Sequence, residues 1–304
     1  MNRLPLALAL SLLISISASC SKVPPPASLS TDPVTGAENN ESLEAAAPDI
    51  PTIQPSFKEG DPVTYPAELP VLMYHHVVPD GEKCNDVTIT VGRLEQDFRW
   101  LNENGYRTVL PRELAAGEPL PEKAVLITFD DGYRSNYELA YPLLQKYQAK
   151  AVIAIMVYMQ DRGASSFLSW DMCREMADSG LVEIGSHGYA IHNLDERNGM
   201  SVPGQANGVE RRTGESDADF KLRVLDDLQK SYDLIADEIG TAPTYFAYPY
   251  GKTDPDADAF LNALFPMTVV TGTGKTADLS KGLQGLPRFS VNMNVKPEQF
   301  LKSA

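Results

Sequence analysis

AVLITFDDGY, at residues 124–133, is the stretch that decides the fold. A short run of apolar, β-branched and aromatic residues ends in Asp130, Asp131 and Gly132, which predicts a buried strand followed by a turn. In α/β folds, functional sites lie on the loops beyond the carboxyl ends of the strands. Two neighbouring carboxylates repel each other, so a cation or a shared proton is needed to make the pair tolerable. A plain Asp-Gly turn is the alternative interpretation of these residues alone.

Strands and helices alternate along the chain on both sides of this stretch. The apolar pattern predicts a short strand at 106–110 and further strands at 69–78, 124–129, 149–159, 181–186, 244–248, 267–271 and 286–291. It predicts helices at 92–105, 135–147, 169–179, 217–239 and 256–264. Such alternation indicates parallel strands joined by right-handed crossovers. We therefore expect the α/β class, and the count of about seven main strands favours an irregular (β/α)7-type barrel over an open sheet.

The amino terminus has the features of an export signal. Residues 1–20 combine a positively charged start, an apolar run and small residues before Cys20, and they resemble a bacterial lipoprotein signal peptide. Cys20 would then carry the lipid that anchors the chain in the cell envelope. No aspartate follows this cysteine, so we expect the outer membrane, facing the periplasm. Because Ser17 stands where such signals usually have leucine, cleavage just upstream by ordinary signal peptidase is the alternative.

A tether separates this signal from the folded domain. Residues 21–68 are rich in Pro, Ala and Ser and have almost no hydrophobic periodicity, which predicts disorder. The folded domain is expected at 69–304. In an oxidising compartment, Cys84 and Cys173 either form a disulfide or remain two separately buried thiols.

The charge of the chain limits its partners. The formal net charge is −15 at pH 7. A protein that neutralises nucleic-acid phosphates needs a basic surface. We therefore expect no nucleic-acid partner.

All histidines of the chain follow predicted strand ends. There are four of them, His75, His76, His187 and His192. Neutral imidazole nitrogens and one carboxylate form a set of three ligands that leaves positions on a metal open for water and substrate. Either Asp130 or Asp131 would complete such a set. The residues alone therefore predict a metal centre at the carboxyl ends of the strands.

Several motifs together resemble the polysaccharide deacetylase family, which has a NodB-type domain and is also called carbohydrate esterase family 4. They are TFDDGY at 128–133, SHGYAIH at 186–192 and YPYG at 248–251. Within the family, the motifs LMYHHV at 72–77, LPEKAV at 120–125 and LPRF at 286–289 look like the poly-β-1,6-N-acetyl-D-glucosamine N-deacetylases. The resemblance covers roughly residue 69 to the carboxyl terminus. It implies an enzyme that hydrolyses N-acetyl groups of an acetylated polysaccharide, with exopolysaccharide export machinery as a partner and a place in biofilm formation.

The resemblance also implies roles for the residues that match its motifs. Asp131, His187 and His192 correspond to the ligands of one divalent metal ion, and Zn, Ni, Co and Fe all accept this ligand set. Asp130 corresponds to the catalytic base. The backbone N–H of Tyr250 corresponds to the oxyanion donor. Together with Tyr250, Pro249 and Tyr133 are expected to bind the substrate.

The general acid is expected in a different part of the chain than in much of the family. Much of the family uses a histidine near the carboxyl terminus, but no histidine follows His192 here. The poly-β-1,6-N-acetylglucosamine branch takes this histidine from the first strand, which matches His75. His76 alternates to the opposite side of the strand and is the weaker candidate.

One position departs from the family pattern. Ala247 stands where the family usually has an arginine that orients the base. Arg288 is our hypothesis for the missing positive charge, and an arginine on the surface is the alternative interpretation.

Two other functions fit the sequence. The same machinery could act on another acetylated glycan, such as peptidoglycan, chitin or an O-acetylated sugar. A non-catalytic relative that only binds glycans is the second alternative. The complete set of two aspartates and two histidines argues against it, because binding alone does not require both a ligand carboxylate and a free base.

Overall fold

The computed structural model describes residues 63–64, 67–192 and 208–302. Within them, seven parallel strands close into a barrel, in which each strand pairs with the next along the chain and the last pairs with the first. The strands are β1 (Val71–Tyr74), β2 (Ala124–Phe129), β3 (Ala151–Ile155), β4 (Val182–Ser186), β5 (Tyr245–Ala247), β6 (Met267–Gly272) and β7 (Leu286–Ser290). The predicted (β/α)7-type barrel is confirmed. The short strand Arg107–Thr108 pairs outside the ring, with the start of β2.

The period of two along each strand separates the barrel interior from its outer layer. Leu126 of β2 belongs to a buried cluster shared by inward-facing residues of the barrel strands. Its neighbours Val125 and Ile127 belong to a second cluster, which includes apolar residues of the surrounding helices. Both faces of the strand are therefore buried, which explains why these strands are nearly continuous apolar runs.

Helices surround the barrel. They are α1 (Val91–Glu103), α2 (Pro111–Ala115), α3 (Tyr141–Tyr147), α4 (Val157–Asp161), α5 (Trp170–Asp178), α6 (Asp217–Phe220), α7 (Asp226–Ile239) and α8 (Pro255–Leu264). The hydroxyls of Thr90 and Ser169 cap the first turns of α1 and α5. Gly240 ends α7 in the left-handed conformation, with φ 78°. None of the helices in the described part of the chain is both long and apolar enough to span a bilayer.

Two predicted helices contain a π-helical turn. The helix predicted at 135–147 consists of a π turn at Asn136–Ala140 followed by α3. The helix predicted at 217–239 consists of α6, a π turn at Lys221–Leu225, and α7. An apolar pattern does not distinguish one such turn from the α-helix around it, so the sequence predicted single helices.

Two predicted strands were too long. The strand predicted at 149–159 ends at Ile155, and α4 begins at Val157. At this point the chain leaves the barrel, and the N–H groups of Val157 and Tyr158 donate to loop carbonyls of Gly188 and Tyr189 instead of to a strand. Val157 is fully buried although it belongs to no strand. The strand predicted at 69–78 is likewise broken after Tyr74.

That break separates β1 from a second short strand. His76–Val78 pairs with Thr88–Thr90, outside the barrel. His75 therefore lies between two strands and belongs to neither.

The predicted amino-terminal segments lie largely outside the described residues. This holds for the signal at 1–20, for Cys20 and for most of the tether at 21–68. Within the tether, Val63–Thr64 pairs antiparallel with Leu120–Pro121. An apolar pattern does not reveal a pairing of two residues.

The two cysteines within the described residues do not form a disulfide. Cys84 is partly exposed and Cys173 is buried, and both are free thiols. The second of the two sequence alternatives is therefore the closer one, although only Cys173 is fully buried. Burial raises the pKa of the Cys173 thiol to about 12, so this residue is an unreactive part of the core.

Candidate active site

The predicted site residues meet at the carboxyl end of the barrel. Each one lies on a barrel strand or just beyond the end of one. His75 follows β1, Asp130 and Asp131 follow β2, His187 follows β4, Pro249 and Tyr250 follow β5, and Arg288 belongs to β7. The closed parallel barrel explains this convergence, because all of its strands point the same way.

The turn after β2 sends the two neighbouring carboxylates to different partners. Asp131 has φ 72° and Gly132 has φ 75°, so two successive residues are left-handed. This conformation is uncommon for a residue with a side chain, and such strain concentrates at functional sites. A Cβ atom at Gly132 would also lie 2.7 Å from Cγ2 of Ile155, so glycine is required for space as well.

Asp130 points into the barrel and is bound by Arg288. Nη1 of Arg288 donates to Oδ1 of Asp130 at 2.7 Å, and Nη2 donates to Oδ2 at 2.7 Å. Both side chains are almost inaccessible, with Arg288 at 0% and Asp130 at 2% exposure. The guanidinium Nε donates to the carbonyl of Val270 at 2.8 Å. The structure therefore places a bidentate, buried ion pair where the alternative interpretation expected a surface arginine.

This pairing keeps Asp130 ionised. Burial alone would raise the pKa of its carboxyl group, because a charge is costly to hold away from water. The charge and hydrogen bonds of Arg288 outweigh burial, so the pKa lies well below its ordinary value. An ionised carboxylate is the form in which an aspartate can accept a proton.

Asp131 faces two histidines. Its Oδ1 lies 3.5 Å from Nε2 of His187 and 3.4 Å from Nε2 of His192. One ligand atom from each of the three residues lies within 4.8 Å of the other two. The rings of His187 and His192 are inclined to each other, with centroids 5.0 Å apart. This arrangement brings together the three residues that the sequence assigned to a metal.

The protonation of His187 fits a metal ligand. Its Nδ1 lies 2.7 Å from the carbonyl oxygen of Ala247, and because that oxygen can only accept, Nδ1 must carry the hydrogen. Nε2 is then left with a lone pair directed at the side of Asp131. Burial lowers the pKa of His187 to about 3, against the opposing effect of Asp130, so the ring is neutral. A neutral imidazole held through its other nitrogen, next to a carboxylate, is the donor set that binds divalent metals.

The two adjacent histidines have different surroundings. The ring of His76 lies against the ring of Tyr133, with centroids 4.7 Å apart, and its Nδ1 lies 2.9 Å from Oγ of Ser135. Burial lowers the pKa of His76. His75, by contrast, directly follows Tyr74, whose carbonyl accepts from the N–H of Asp130 at 2.9 Å, so the backbone joins His75 to the base.

The predicted substrate residues occupy two separate places. Tyr250 has φ 57°, its side chain is 45% exposed, and its hydroxyl lies 3.3 Å from Nδ1 of His192. Pro249 precedes it and is buried. Tyr133 lies elsewhere, in a stack between His76 and Phe167, whose ring centroid is 5.3 Å away. The structure thus brings Tyr250 to the histidine pair and places Tyr133 beside His76.

Sequence reasoning missed two sets of supporting residues. One contacts the ion pair, and the other contacts the segment that contains His75 and His76. Thr128 accepts from Nη1 of Arg288 at 3.1 Å, and the hydroxyl of Tyr245 lies 3.4 Å from the same nitrogen. Thr128 stands two residues before Asp130, so its inward orientation could have been deduced from the period of two. Ser135 and Asn136, which contact the segment around His75, left no such pattern in the sequence.

Several known proteins resemble this chain in sequence. The sequence model of the polysaccharide deacetylase family matches residues 117–265. YxkH of Bacillus subtilis (strain 168), a polysaccharide deacetylase by name, is 31% identical over 267 residues, which cover 84% of this chain and 85% of that protein. The poly-β-1,6-N-acetyl-D-glucosamine N-deacetylase of Escherichia coli (strain K12) is 29% identical over 251 residues. This match covers 75% of the chain but only 37% of the length of the E. coli protein.

A solved structure resembles this chain in fold. A de-N-acetylase from Aggregatibacter actinomycetemcomitans superposes with a TM-score of 0.65 and 28% identity. The superposition covers 77% of this chain and 100% of that one. Together with the near full-length match to YxkH, these findings show that the chain belongs to the polysaccharide deacetylase family.

Proposed function

We propose that the chain is a metal-dependent hydrolase that removes N-acetyl groups from N-acetylglucosamine units of an extracellular polysaccharide. Poly-β-1,6-N-acetylglucosamine is the favoured substrate. The observation that carries this proposal is that the two neighbouring aspartates have different partners. Asp130 is held ionised by Arg288. Asp131 is turned towards His187 and His192. The name of the E. coli relative supports the choice of polymer.

Asp131, His187 and His192 would hold the metal. A bound divalent ion would supply a water of lowered pKa and polarise the acetamide carbonyl. Asp130 accepts the proton of the attacking water, and the two hydrogen bonds from Arg288 fix the plane of its carboxylate. The backbone N–H of Tyr250 donates to the oxygen on which negative charge develops. His75 then protonates the leaving amine.

The cellular setting rests on the amino-terminal sequence. The lipoprotein-type signal supports export, a lipid anchor on Cys20 and a position at the outer membrane, facing the periplasm. A lipid anchor would hold the domain near polymer that is being exported. We therefore include exopolysaccharide export machinery as a partner and biofilm formation as the process served.

Deacetylation of another glycan is the second candidate. YxkH matches over most of both chains and is named for polysaccharide in general. Peptidoglycan, chitin and O-acetylated sugars therefore belong in the same assay. A glycan-binding relative without activity would release no acetate from any of them.

Removal of the metal is expected to abolish acetate release. Purified protein would be assayed on poly-β-1,6-N-acetylglucosamine, chitooligosaccharides and peptidoglycan, before and after a chelator, with metal content measured in parallel. We expect the highest rate on the β-1,6 polymer, loss of activity after chelation, and recovery on addition of one of Zn, Ni, Co or Fe. Asp131→Asn should lower the metal content of the purified protein, because it replaces a ligand carboxylate by a neutral amide. Full activity in protein with no measurable metal would contradict the proposal.

A further inference from the structure

Several hydrogen bonds hold the backbone where β1 breaks. The carbonyl of Tyr74 accepts from the N–H of Asp130 at 2.9 Å, and the N–H of His76 donates to the carbonyl of Val87 at 3.1 Å. These two bonds come from backbone. Two further backbone groups of the break are bound by side chains that follow the catalytic turn.

Ser135 and Asn136 supply those side-chain bonds. Oγ of Ser135 accepts from the N–H of Val77 at 3.1 Å. Nδ2 of Asn136 donates to the carbonyl oxygen of His75 at 2.8 Å. The peptide group between His75 and His76 is thus bonded on both sides, through the His76 N–H to Val87 and through the His75 carbonyl to Asn136. The bond from Asn136 is the one that comes from a side chain of the segment after the catalytic turn.

The burial of Asn136 indicates a positioning role. Its side chain is 0% exposed, and within the described residues its Oδ1 has no hydrogen-bond partner. A buried acceptor without a partner is destabilising, so an apolar residue of similar size would suit the core better. Among the residues that the structure describes, the hydrogen bond of this side chain goes to His75.

A π-helical turn sets the direction of this side chain. Asn136 begins the turn Asn136–Ala140, and its carbonyl accepts from the N–H of Tyr141, five residues on. Such turns add one residue to a helix and occur frequently at functional sites. Here the turn begins where the catalytic loop ends, so Ser135 and Asn136 both contact the broken strand.

We propose that Asn136 is a positioning residue for His75 and that it fixes the proton donor relative to the base through the His75 carbonyl. The proposal rests on the proposed function. One loop, residues 130–136, then carries the base at one end and the support of the acid at the other. A small displacement of the acid affects only the step in which the leaving group receives its proton.

Two substrates separate this role from a structural one. Release of an amine from a β-1,6-linked N-acetylglucosamine oligomer needs the acid, whereas release of 4-nitrophenolate from 4-nitrophenyl acetate does not, because phenolate is a good leaving group. We expect Asn136→Ala to lower kcat on the oligomer by about 10- to 100-fold, with KM and the ester rate unchanged. His75→Ala should give the same pattern. The double variant should be no slower than His75→Ala alone, because both changes affect one step.

The matched control is Asn104→Ala. Nδ2 of Asn104 also donates to a backbone carbonyl at 2.8 Å, that of Trp100, at the far end of α1. This variant should leave both rates unchanged. If Asn136→Ala does not fold, Asn136→Asp, which keeps the size but replaces the donor by an acceptor, gives the same test.

Three results would overturn the assignment. The first is an equal loss of rate on both substrates, and the second is an unchanged rate on the oligomer. The third is a double variant whose loss of rate equals the product of the losses of His75→Ala and Asn136→Ala. A wild-type chain that hydrolyses the ester but no acetamide would contradict the proposed function itself. The two failures are therefore distinguishable.

Discussion

Asp130→Asn is expected to slow acetate release by about 10²- to 10⁴-fold, which is the usual contribution of a general base. Asparagine has nearly the same shape and can still accept a hydrogen bond from Arg288, but its amide cannot take a proton from water. The change should therefore reduce kcat on a β-1,6-linked oligomer, with a small effect on KM. Steady-state rates with wild-type and variant protein of equal metal content provide the measurement.

A second buried aspartate provides the control for this experiment. Asp97 of α1 is 0% exposed and is paired with Arg93, so it resembles Asp130 in burial and in partner. It is also bonded to the hydroxyl of Tyr74, at 3.2 Å. Asp97→Asn should change the free energy of unfolding and leave kcat unchanged. Near wild-type kcat in Asp130→Asn would instead assign the base to another group.

The barrel could be predicted because its strands are buried on both faces. Such strands appear in the sequence as short apolar runs, and their alternation with helical periods leaves few topologies. The ends of the strands and helices were harder to predict from the sequence. The run at 149–159 continues past Ile155 because Met156 and Val157 are buried like the strand, and an apolar pattern reports burial rather than pairing.

The candidate site was predictable where residues cluster in the sequence. Asp130 and Asp131 are adjacent, and His187 and His192 share one loop, so their proximity follows from the order of the strands. Arg288 and Asp130 are 158 residues apart in the sequence. Their contact could only be a hypothesis until the structure showed a closed barrel. The contact of Asn136 with His75 depends on a strand break and a π turn, and neither feature has a pattern in the sequence.

Arg288→Met is expected to lower the free energy of unfolding by about 3–5 kcal/mol, the usual effect of breaking a buried ion pair from one side. Methionine leaves the carboxylate of Asp130 in the barrel interior, at 2% exposure, without the two hydrogen bonds from the guanidinium. Urea unfolding of the wild-type and variant proteins measures the difference. Arg174→Met is the matched control. Arg174 is 41% exposed and pairs with Glu238 at 2.7 Å on the surface, so its loss should change stability by less than about 1 kcal/mol.

The double variant Arg288→Met/Asp130→Asn shows whether the loss of stability comes from the carboxylate that is left unpaired. Asp130→Asn removes the negative charge that Arg288→Met leaves unpaired, so the combined change should be smaller than the sum of the single changes. Arg288→Lys keeps a positive charge but cannot form two parallel hydrogen bonds with one carboxylate, so it should recover part of the stability and little of the activity. Strictly additive effects would mean that the arginine stabilises the barrel by packing alone. Its orientation of the base would then need another explanation.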